Sequence, residues 1–158
     1  MTREIRGGCR CGQLRYRFVQ EGPLLNYCCH CLDCQKSTGS AFADQLIVMT
    51  DSLSSEGRRV ERAMPRPAGG ISTHSFCPDC FGRIYNLNSE RPGMAIVRGG
   101  TLDDPSELDP FAHIWVRRKR DWVAIPEGVP AFDEMPAPER FMALAMARRA
   151  AGSRPKDV

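Results

Sequence analysis

Apolar and polar residues alternate in several short segments of this chain. Leu14, Tyr16 and Phe18 are separated by Arg15 and Arg17, and this period of two is typical of a strand with one buried face. Further short apolar segments lie at residues 24–28, 42–49, 83–87, 94–98, 113–117 and 121–125. Glycine and proline separate these segments, so the pattern predicts a mostly β domain of short strands.

Two other segments have a helical pattern. Residues 31–39, CLDCQKSTG, predict a short helical turn that ends at the glycine. Near the C-terminus, Pro138 begins a segment rich in alanine, leucine and methionine, and Gly152 ends it. The thin apolar stripe of this segment consists of Phe141, Leu144 and Ala145. We therefore expect a domain of residues 1–136, then a C-terminal helix and tail of residues 137–158 that packs on the domain or on a partner and frays from Ser153.

Composition and charge place the chain in a broad class. It has 158 residues, 42% of them hydrophobic and 26% charged, which fits one soluble domain with a core. The net charge of +3 does not by itself indicate a nucleic-acid partner. The start, MTREIRGGC, lacks the apolar segment of a secretory signal, and no apolar run approaches the ~20 residues of a membrane span. The sequence predicts a cytoplasmic protein and leaves oligomer formation open.

The eight cysteines change the picture most. Disulfides are rare in a reducing compartment, where clustered cysteines are more often metal ligands or catalytic groups. Cys28 and Cys29 are also adjacent, which is poor geometry for a bond between them. The alternative is a secreted protein, in which eight cysteines would form four disulfides.

Four of these cysteines form two distant pairs. Cys9 and Cys11 are spaced C-x-C, and Cys77 and Cys80 are spaced C-x-x-C. Together they supply the four sulfurs of a closed structural zinc site. Such a site would join the first strand to the middle of the chain.

Three more cysteines converge within a few residues. On an extended segment Cys29 and Cys31 face the same side, and Cys31 and Cys34 share one side of the helical turn that follows. Three sulfurs do not complete a structural zinc site, whereas catalytic zinc sites keep one position open. The spacing therefore favours an open or exchangeable metal site.

Two alternatives to an open site remain. His30 or His74 could complete a second structural site, although alternation points His30 away from the cluster. The cluster could also hold no metal. Cys28 shares with His30 the face that points away from the cluster, and we interpret it as a small buried apolar residue.

The charge of the three-sulfur set indicates the type of reaction. Three thiolates on Zn²⁺ leave a net charge of −1, which suits hydroxide generation less well than neutral histidine ligands do. A soft, thiolate-rich site favours exchange with another soft ligand, such as a thiol substrate. Lys36 or a nearby arginine could offset the negative charge.

Six segments match the pattern of one protein family in the right order. They read GGCRCGQLRYRF, CHCLDCQKSTGSAF, FCPDC, GGTLDDP, HIWVRRKRDWVAI and EGVPAFDEMP, and they cover about residues 7–136. In these segments the chain resembles the glutathione-dependent formaldehyde-activating enzyme family, which also includes centromere protein V. The order of the cysteines is the specific part of this resemblance.

The resemblance implies a β-tent fold of short antiparallel sheets that binds two zinc ions per chain. It implies a structural zinc held by Cys9, Cys11, Cys77 and Cys80. It implies a second zinc, at the catalytic site, held by Cys29, Cys31 and Cys34. The family's activity is carbon–sulfur lyase chemistry, which forms S-hydroxymethylglutathione from formaldehyde and glutathione or releases them again.

The chain departs from the family pattern at one position. The second C-x-x-C pair is usually followed by glycine, but here Phe81 follows it and Gly82 comes one place later. We expect a slightly distorted turn with its sulfurs intact. The motifs identify no glutathione-binding residue.

The remaining residues of interest fit ordinary structural roles. We interpret His113 as a structural histidine, Trp115 and Trp122 as core or rim aromatics, and the RRKR run at residues 117–120 as a solvated turn.

Two classes of function follow. The first is an enzyme that acts on the adduct of a thiol with formaldehyde or another small aldehyde. The alternative is a non-catalytic zinc module that binds protein or nucleic acid through the RRKR run and Arg148-Arg149. The open ligand set and the lack of a long basic segment favour the enzyme.

Overall fold

The computed structural model describes residues 1–152, and these residues are mostly β, as the alternating pattern predicts. The strands are β1 (Thr2–Gly8), β2 (Arg15–Glu21), β3 (Asn26–Cys29), β4 (Ala43–Met49), β5 (Ser54–Glu56), β6 (Val60–Pro65), β7 (Ile71–Phe76), β8 (Arg83–Asn88), β9 (Met94–Arg98), β10 (His113–Ile114) and β11 (Ala131–Phe132). The helices are α1 (Leu32–Thr38) and α2 (Pro138–Ala151), with short 3-10 turns at Gly99–Thr101 and Val116–Arg118. The predicted frayed end from Ser153 lies outside the described residues.

The chain folds into two compact units, each made of two separate stretches. Unit 1 consists of Met1–Glu21 and Leu46–Ser106, and unit 2 consists of Gly22–Gln45 and Glu107–Val158. One cysteine cluster lies in each unit.

Unit 1 is built from antiparallel strands. β1 pairs with β2 from Thr2↔Glu21 to Gly8↔Arg15, and β5 pairs with the other edge of β2. β6, β7, β8 and β9 form a meander in chain order, with a register shift between Ser75 and Phe76. The core of the unit contains the fully buried side chains of Leu14, Phe18, Leu46, Ile84 and Val97.

Unit 2 has a different arrangement, because its central strand pairs are parallel. β10 pairs with β3 on one side and with β11 on the other, both in parallel. All four residues of β3 are buried, as expected for a strand that is covered on both faces. β3 leads directly into α1, so the second cysteine cluster lies where this buried strand ends.

The C-terminal helix packs on unit 2, the first of the two predicted alternatives. The Phe141 ring contacts Tyr27 edge-on at 5.0 Å between centroids and Phe111 at 5.1 Å. Arg148, one turn from the end of α2, forms a largely buried ion pair with Asp109. These contacts fix α2 against β3 and the segment that precedes β10.

Two of the strands predicted from the sequence are wrong in whole or in part. The segment 113–117 is a strand only at His113–Ile114, since Trp115 adopts a left-handed conformation (φ 59°) and begins a 3-10 turn. The segment 121–125 forms no strand. Although Val123 is buried, Trp122 is 78% exposed, and the Val123 amide donates to the Arg120 carbonyl in a turn instead of to a neighbouring strand.

No helix within residues 1–152 is long and apolar enough to cross a lipid bilayer.

Candidate metal centres

Two turns of unit 1 bring the four-cysteine cluster together. Cys9 and Cys11 lie in the turn between β1 and β2, and Cys77 and Cys80 lie in the turn between β7 and β8. The four sulfurs lie within 4.8 Å of one another, with 3.4 Å between Cys9 and Cys11 and 3.6 Å between Cys11 and Cys77. Tetrahedral zinc with bonds of about 2.3 Å requires sulfur separations of about 3.8 Å. The donor set therefore fits a closed zinc site.

Backbone amides hold these turns and point at sulfur. The Leu14 N–H donates to the Cys9 sulfur at 3.2 Å. Burial acts to raise the pKa of Cys9, but the hydrogen bonds from the Leu14 amide and the neighbouring thiols outweigh it and lower this pKa to about 6. A thiol with a lowered pKa is ready to bind a cation as thiolate.

Phe81 occupies the position at which the family pattern has glycine. It has φ 57°, the left-handed region that glycine adopts at no steric cost. Its amide still donates to the Cys77 carbonyl at 3.0 Å, which closes the turn, and all four sulfurs remain together. The turn thus has the shape that a glycine would give it, at some cost in backbone strain.

The three-cysteine cluster lies in unit 2, at the junction of β3 and α1. Cys29 ends β3, Cys31 is the N-cap of α1 and Cys34 lies in its first turn. Their sulfurs lie within 4.8 Å of one another, and no histidine or carboxylate belongs to this group in residues 1–152. The cluster thus offers three protein ligands.

Hydrogen bonds within the cluster make its thiols unequal. The Cys34 amide donates to the Cys31 sulfur at 3.3 Å. Hydrogen bonds from the Cys29 and Cys34 thiols lower the pKa of Cys31 to about 2, and the same network raises the pKa of Cys29. Among these thiols, Cys31 is therefore the one whose surroundings favour the thiolate form.

Two glutamines support this cluster, and no sequence motif indicates either of them. The Gln45 side-chain amide donates to the Cys34 sulfur at 3.5 Å. The Gln35 Nε2 group donates to the His30 carbonyl at 2.7 Å and to the Arg118 carbonyl at 2.9 Å. Gln35 therefore ties the loop between Cys29 and Cys31 to the turn after β10.

The two histidines of unit 2 pair with each other. Neither belongs to the group of cysteines that could hold a metal. His30 Nε2 and His113 Nδ1 are 2.9 Å apart, and the two rings stack at 5.2 Å between centroids. His30 is fully buried, and burial, with smaller effects of His113 and Lys119, lowers its pKa to about 4. Parallel pairing of β3 and β10 creates this contact between residues far apart in sequence.

The other residues considered from the sequence take structural positions. His74 lies in unit 1, where its ring contacts Ser72 Oγ at 2.9 Å and accepts from Arg83 at 3.0 Å. Cys28 is buried, which together with the Asp44 charge raises its pKa to about 12. A high pKa keeps this thiol neutral, in agreement with its interpretation as a small apolar residue.

The RRKR run is divided among several roles. Arg117 forms an exposed ion pair with Glu134. The Lys119 ammonium donates to the Arg120 and Val123 carbonyls at 3.0 and 2.8 Å. Arg120 instead lines a surface cavity of about 570 Å³ together with Gln35, Lys36, Ser40 and Trp122. The run therefore does not present four cations on one face.

Comparison with known proteins identifies a family, and the proteins to which the chain is similar include one curated protein and one solved structure. The family model described as "Glutathione-dependent formaldehyde-activating enzyme" matches residues 4–118. A curated protein of Halomonas elongata, provisionally named a glutathione-dependent formaldehyde-activating enzyme, is 25% identical over 126 residues, which cover 77% of this chain and 80% of that protein. A crystal structure of a Rhodobacter sphaeroides protein superimposes with a TM-score of 0.49 at 15% identity, covering 80% of this chain and 98% of that one.

Proposed function

Because this chain belongs to the glutathione-dependent formaldehyde-activating enzyme family, we propose that it is a zinc-dependent carbon–sulfur lyase. Its substrates are glutathione, or another small thiol, and formaldehyde or a similar small aldehyde. The observation that carries this proposal is the cluster of Cys29, Cys31 and Cys34, which offers three sulfur ligands and no fourth ligand in the described residues.

The two clusters have different roles in this proposal. Cys9, Cys11, Cys77 and Cys80 bind one zinc ion and close its coordination, which stabilises unit 1. Cys29, Cys31 and Cys34 bind a second zinc ion at the catalytic site. When bound there, the metal supplies a soft Lewis acid that holds a substrate thiol as its thiolate.

The residues around the catalytic cluster tune and orient its sulfurs. The Gln45 amide and the Cys34 backbone amide each donate to a sulfur, and such donors draw negative charge from the ligands. His30, whose pKa is about 4, is neutral at pH 7 and contacts His113 through its Nε2 atom. These residues keep the ligand loop in one conformation while the substrates exchange.

The proposed reaction needs no oxidant or further cofactor. The thiolate sulfur attacks the carbonyl carbon of formaldehyde, the carbon–oxygen π electrons move to oxygen, and the resulting alkoxide takes up one proton. The product is the S-hydroxymethyl adduct, and the reverse reaction breaks the same carbon–sulfur bond. The chain's task is to hold the two reactants close together.

A binding module without catalysis has less support. Such a module would need a continuous basic surface, yet Arg117 is paired with Glu134 and the Lys119 ammonium is used within its own turn. Arg148 is also unavailable for nucleic acid, because it is buried against Asp109.

We also propose a cytoplasmic location. All eight cysteines are free thiols, and a site that depends on thiolates requires a reducing compartment. The division into a zinc-binding domain of residues 1–136 and a C-terminal segment of residues 137–158 belongs to the same proposal.

Exchange spectroscopy by NMR tests the proposed activity. Glutathione and formaldehyde combine spontaneously, so activity is measured as the rate of exchange between free glutathione and its hydroxymethyl adduct above that background. We expect the wild-type protein to accelerate this exchange and Cys31→Ser to return it to the background rate. Equal rates for wild type, Cys31→Ser and buffer would exclude this pair of substrates.

A further inference from the structure

The surface cavity of unit 2 has the character of an anion site. Lys36 and Arg120 lie in its wall, and no acidic side chain does. Neither of these two side chains has an ion-pair or hydrogen-bond partner within the described part of the chain. Two cations without a counter-ion in one concave surface attract an anionic ligand.

The wall of this cavity is held in a fixed shape. Gln35 uses both hydrogens of its side-chain amide to bind the His30 and Arg118 carbonyls. Lys119 fixes the following turn through the carbonyls of Arg120 and Val123. These bonds hold the segments that carry Lys36 and Arg120 in position before any ligand binds, which lowers the entropic cost of binding.

The cavity also has an exposed aromatic wall. Trp122 is 78% exposed and lines the cavity beside Arg120. An indole ring placed in this way can cover the flat amide groups of a peptide while its neighbours bind the charged ends. Together, two cations and an indole favour a small peptide-like acid over an inorganic anion.

Helix α1 connects the cavity to the three-cysteine cluster, because it carries both Cys34 and Lys36. Lys36 lies in α1, five residues after Cys31, the N-cap of this helix, and five residues correspond to about 7.5 Å along a helix axis. In glutathione, whose central cysteine is linked to a γ-glutamyl residue on one side and to glycine on the other, each of the two terminal carboxylates lies about 7 Å from the cysteine when the peptide is extended. Along the axis of α1, the separation of Cys31 and Lys36 is thus similar to the separation of thiol-bearing residue and carboxylate in such a tripeptide.

We propose that this cavity is the carboxylate subsite for the thiol substrate. Lys36 and Arg120 bind the carboxylates of an acidic, peptide-like thiol, Trp122 covers its amide groups, and Gln35 positions the two cations. The proposal rests on the proposed function, because it assumes that the thiol group binds at Cys29, Cys31 and Cys34. It assigns the choice between glutathione and uncharged thiols to the cavity rather than to the cysteines.

Binding measurements on the zinc-loaded protein, without aldehyde, test this subsite. The ligands are glutathione, its diethyl ester, 2-mercaptoethanol and S-methylglutathione, whose blocked sulfur leaves only the cavity contacts. We expect glutathione to bind at least tenfold more tightly than the ester. Lys36→Gln and Arg120→Gln should each weaken glutathione binding by about tenfold, with the affinity for 2-mercaptoethanol unchanged.

Two controls separate the subsite from general charge effects. Arg62→Gln, on exposed strand β6, removes the same charge elsewhere and should leave the affinity for glutathione unchanged. The indole N–H resonance of Trp122 should shift with glutathione and with S-methylglutathione, and not with 2-mercaptoethanol.

The outcomes distinguish this proposal from the proposed function. If S-methylglutathione binds through Lys36 and Arg120 while no thiol perturbs the metal site, the subsite stands and the lyase proposal fails. If thiols bind the metal site but the ester binds as well as glutathione, or the two variants bind like wild type, the subsite is wrong and the lyase proposal stands.

Discussion

Single residues set the shape of each cysteine cluster. Phe81 holds a left-handed backbone conformation in the turn of the four-cysteine cluster, with a ring that is 76% exposed. Gln45 and Gln35 make hydrogen bonds that fix the other cluster. In both places the cysteines are the candidate metal ligands, while a neighbouring residue fixes the conformation of the segment that carries them.

The strain at Phe81 can be measured. A left-handed conformation costs a residue with a Cβ about 1 kcal/mol, and the exposed ring recovers little of this by packing. We therefore expect Phe81→Gly to raise the free energy of unfolding by about 1 kcal/mol, with the zinc content unchanged. Phe81→Ala is the control, since it removes the ring and keeps the strain. If glycine and alanine give the same urea midpoint, the turn is not strained.

The buried His30 makes the protein sensitive to acid. Its folded-state pKa of about 4 lies below the value of about 6.5 in an unfolded chain. Between these values the unfolded chain binds a proton that the folded chain does not, so stability falls as the pH decreases from about 6.5 to about 4. We expect a slope below ~1.4 kcal/mol per pH unit from this group.

His30→Gln isolates this contribution. The variant keeps every cysteine, so acid release of metal affects it and wild type alike, but it has no titrating side chain at this position. Its unfolding free energy, measured with urea at pH 7, 6 and 5, should be lower at pH 7 and fall less steeply. Parallel curves for the two proteins would contradict this role of His30.

At the scale of elements, α2 supports the strand that leads to the three-cysteine cluster. Phe141 packs on Tyr27 and Phe111, and Tyr27 is a residue of β3, which ends at Cys29. Ala145 is fully buried on the same face of the helix. The helix therefore contributes to the site by packing against the strand that ends at Cys29.

Truncation of the buried ring tests the docking of α2. Phe141→Ala removes a nearly fully buried phenyl group, and such changes cost about 3 kcal/mol or more. Met146→Ala is the matched control, because Met146 lies on the exposed side of α2 and should change stability by less than about 0.5 kcal/mol. Thermal melts compare the two variants. Equal melting temperatures would show that α2 does not hold β3 in place.

The sequence predicts the elements whose signals are local. Period-two segments become β4, β8 and β9, and proline and glycine mark the two ends of α2. It does not predict β1 or β6, whose residues are mostly charged or exposed, because their pairing comes from neighbouring strands rather than from a buried face. The apolar alternation at 121–125 predicts a strand that does not form. These residues alternate, but within the described residues they make a turn instead of pairing with a strand.

The candidate site divides in the same way. The partition of the cysteines follows from spacings within a few residues, and the sulfurs lie together as that partition predicts. The contact of His30 with His113 depends on the parallel pairing of β3 with β10. The cavity joins α1 to the turn after β10. Unlike the paired cysteine motifs, the residues of these two contacts have no recognisable spacing, so the sequence alone does not reveal them.

At the scale of the whole molecule, each compact unit holds one cysteine cluster. The four-cysteine cluster joins the turn after β1 to the turn after β7 within unit 1. The three-cysteine cluster joins only residues 29–34, which are already connected by the chain. A bound metal therefore removes much more chain entropy from the unfolded state at the first cluster than at the second.

This difference predicts unequal effects from equal substitutions. We expect about two zinc ions per chain in wild type, and about one in both Cys80→Ser and Cys31→Ser. Cys80→Ser should unfold or aggregate the protein, since structural zinc binding is coupled to folding. Cys31→Ser should stay folded and lose only the proposed activity. Elemental analysis and thermal melts measure the zinc content and the stability on the same samples.

Hydrogen exchange then locates the loss of structure. We expect faster exchange at residues 1–21 and 46–106 in any soluble Cys80→Ser and near residues 29–34 in Cys31→Ser. If both variants melt alike and exchange alike, the division into a structural and a catalytic zinc is wrong.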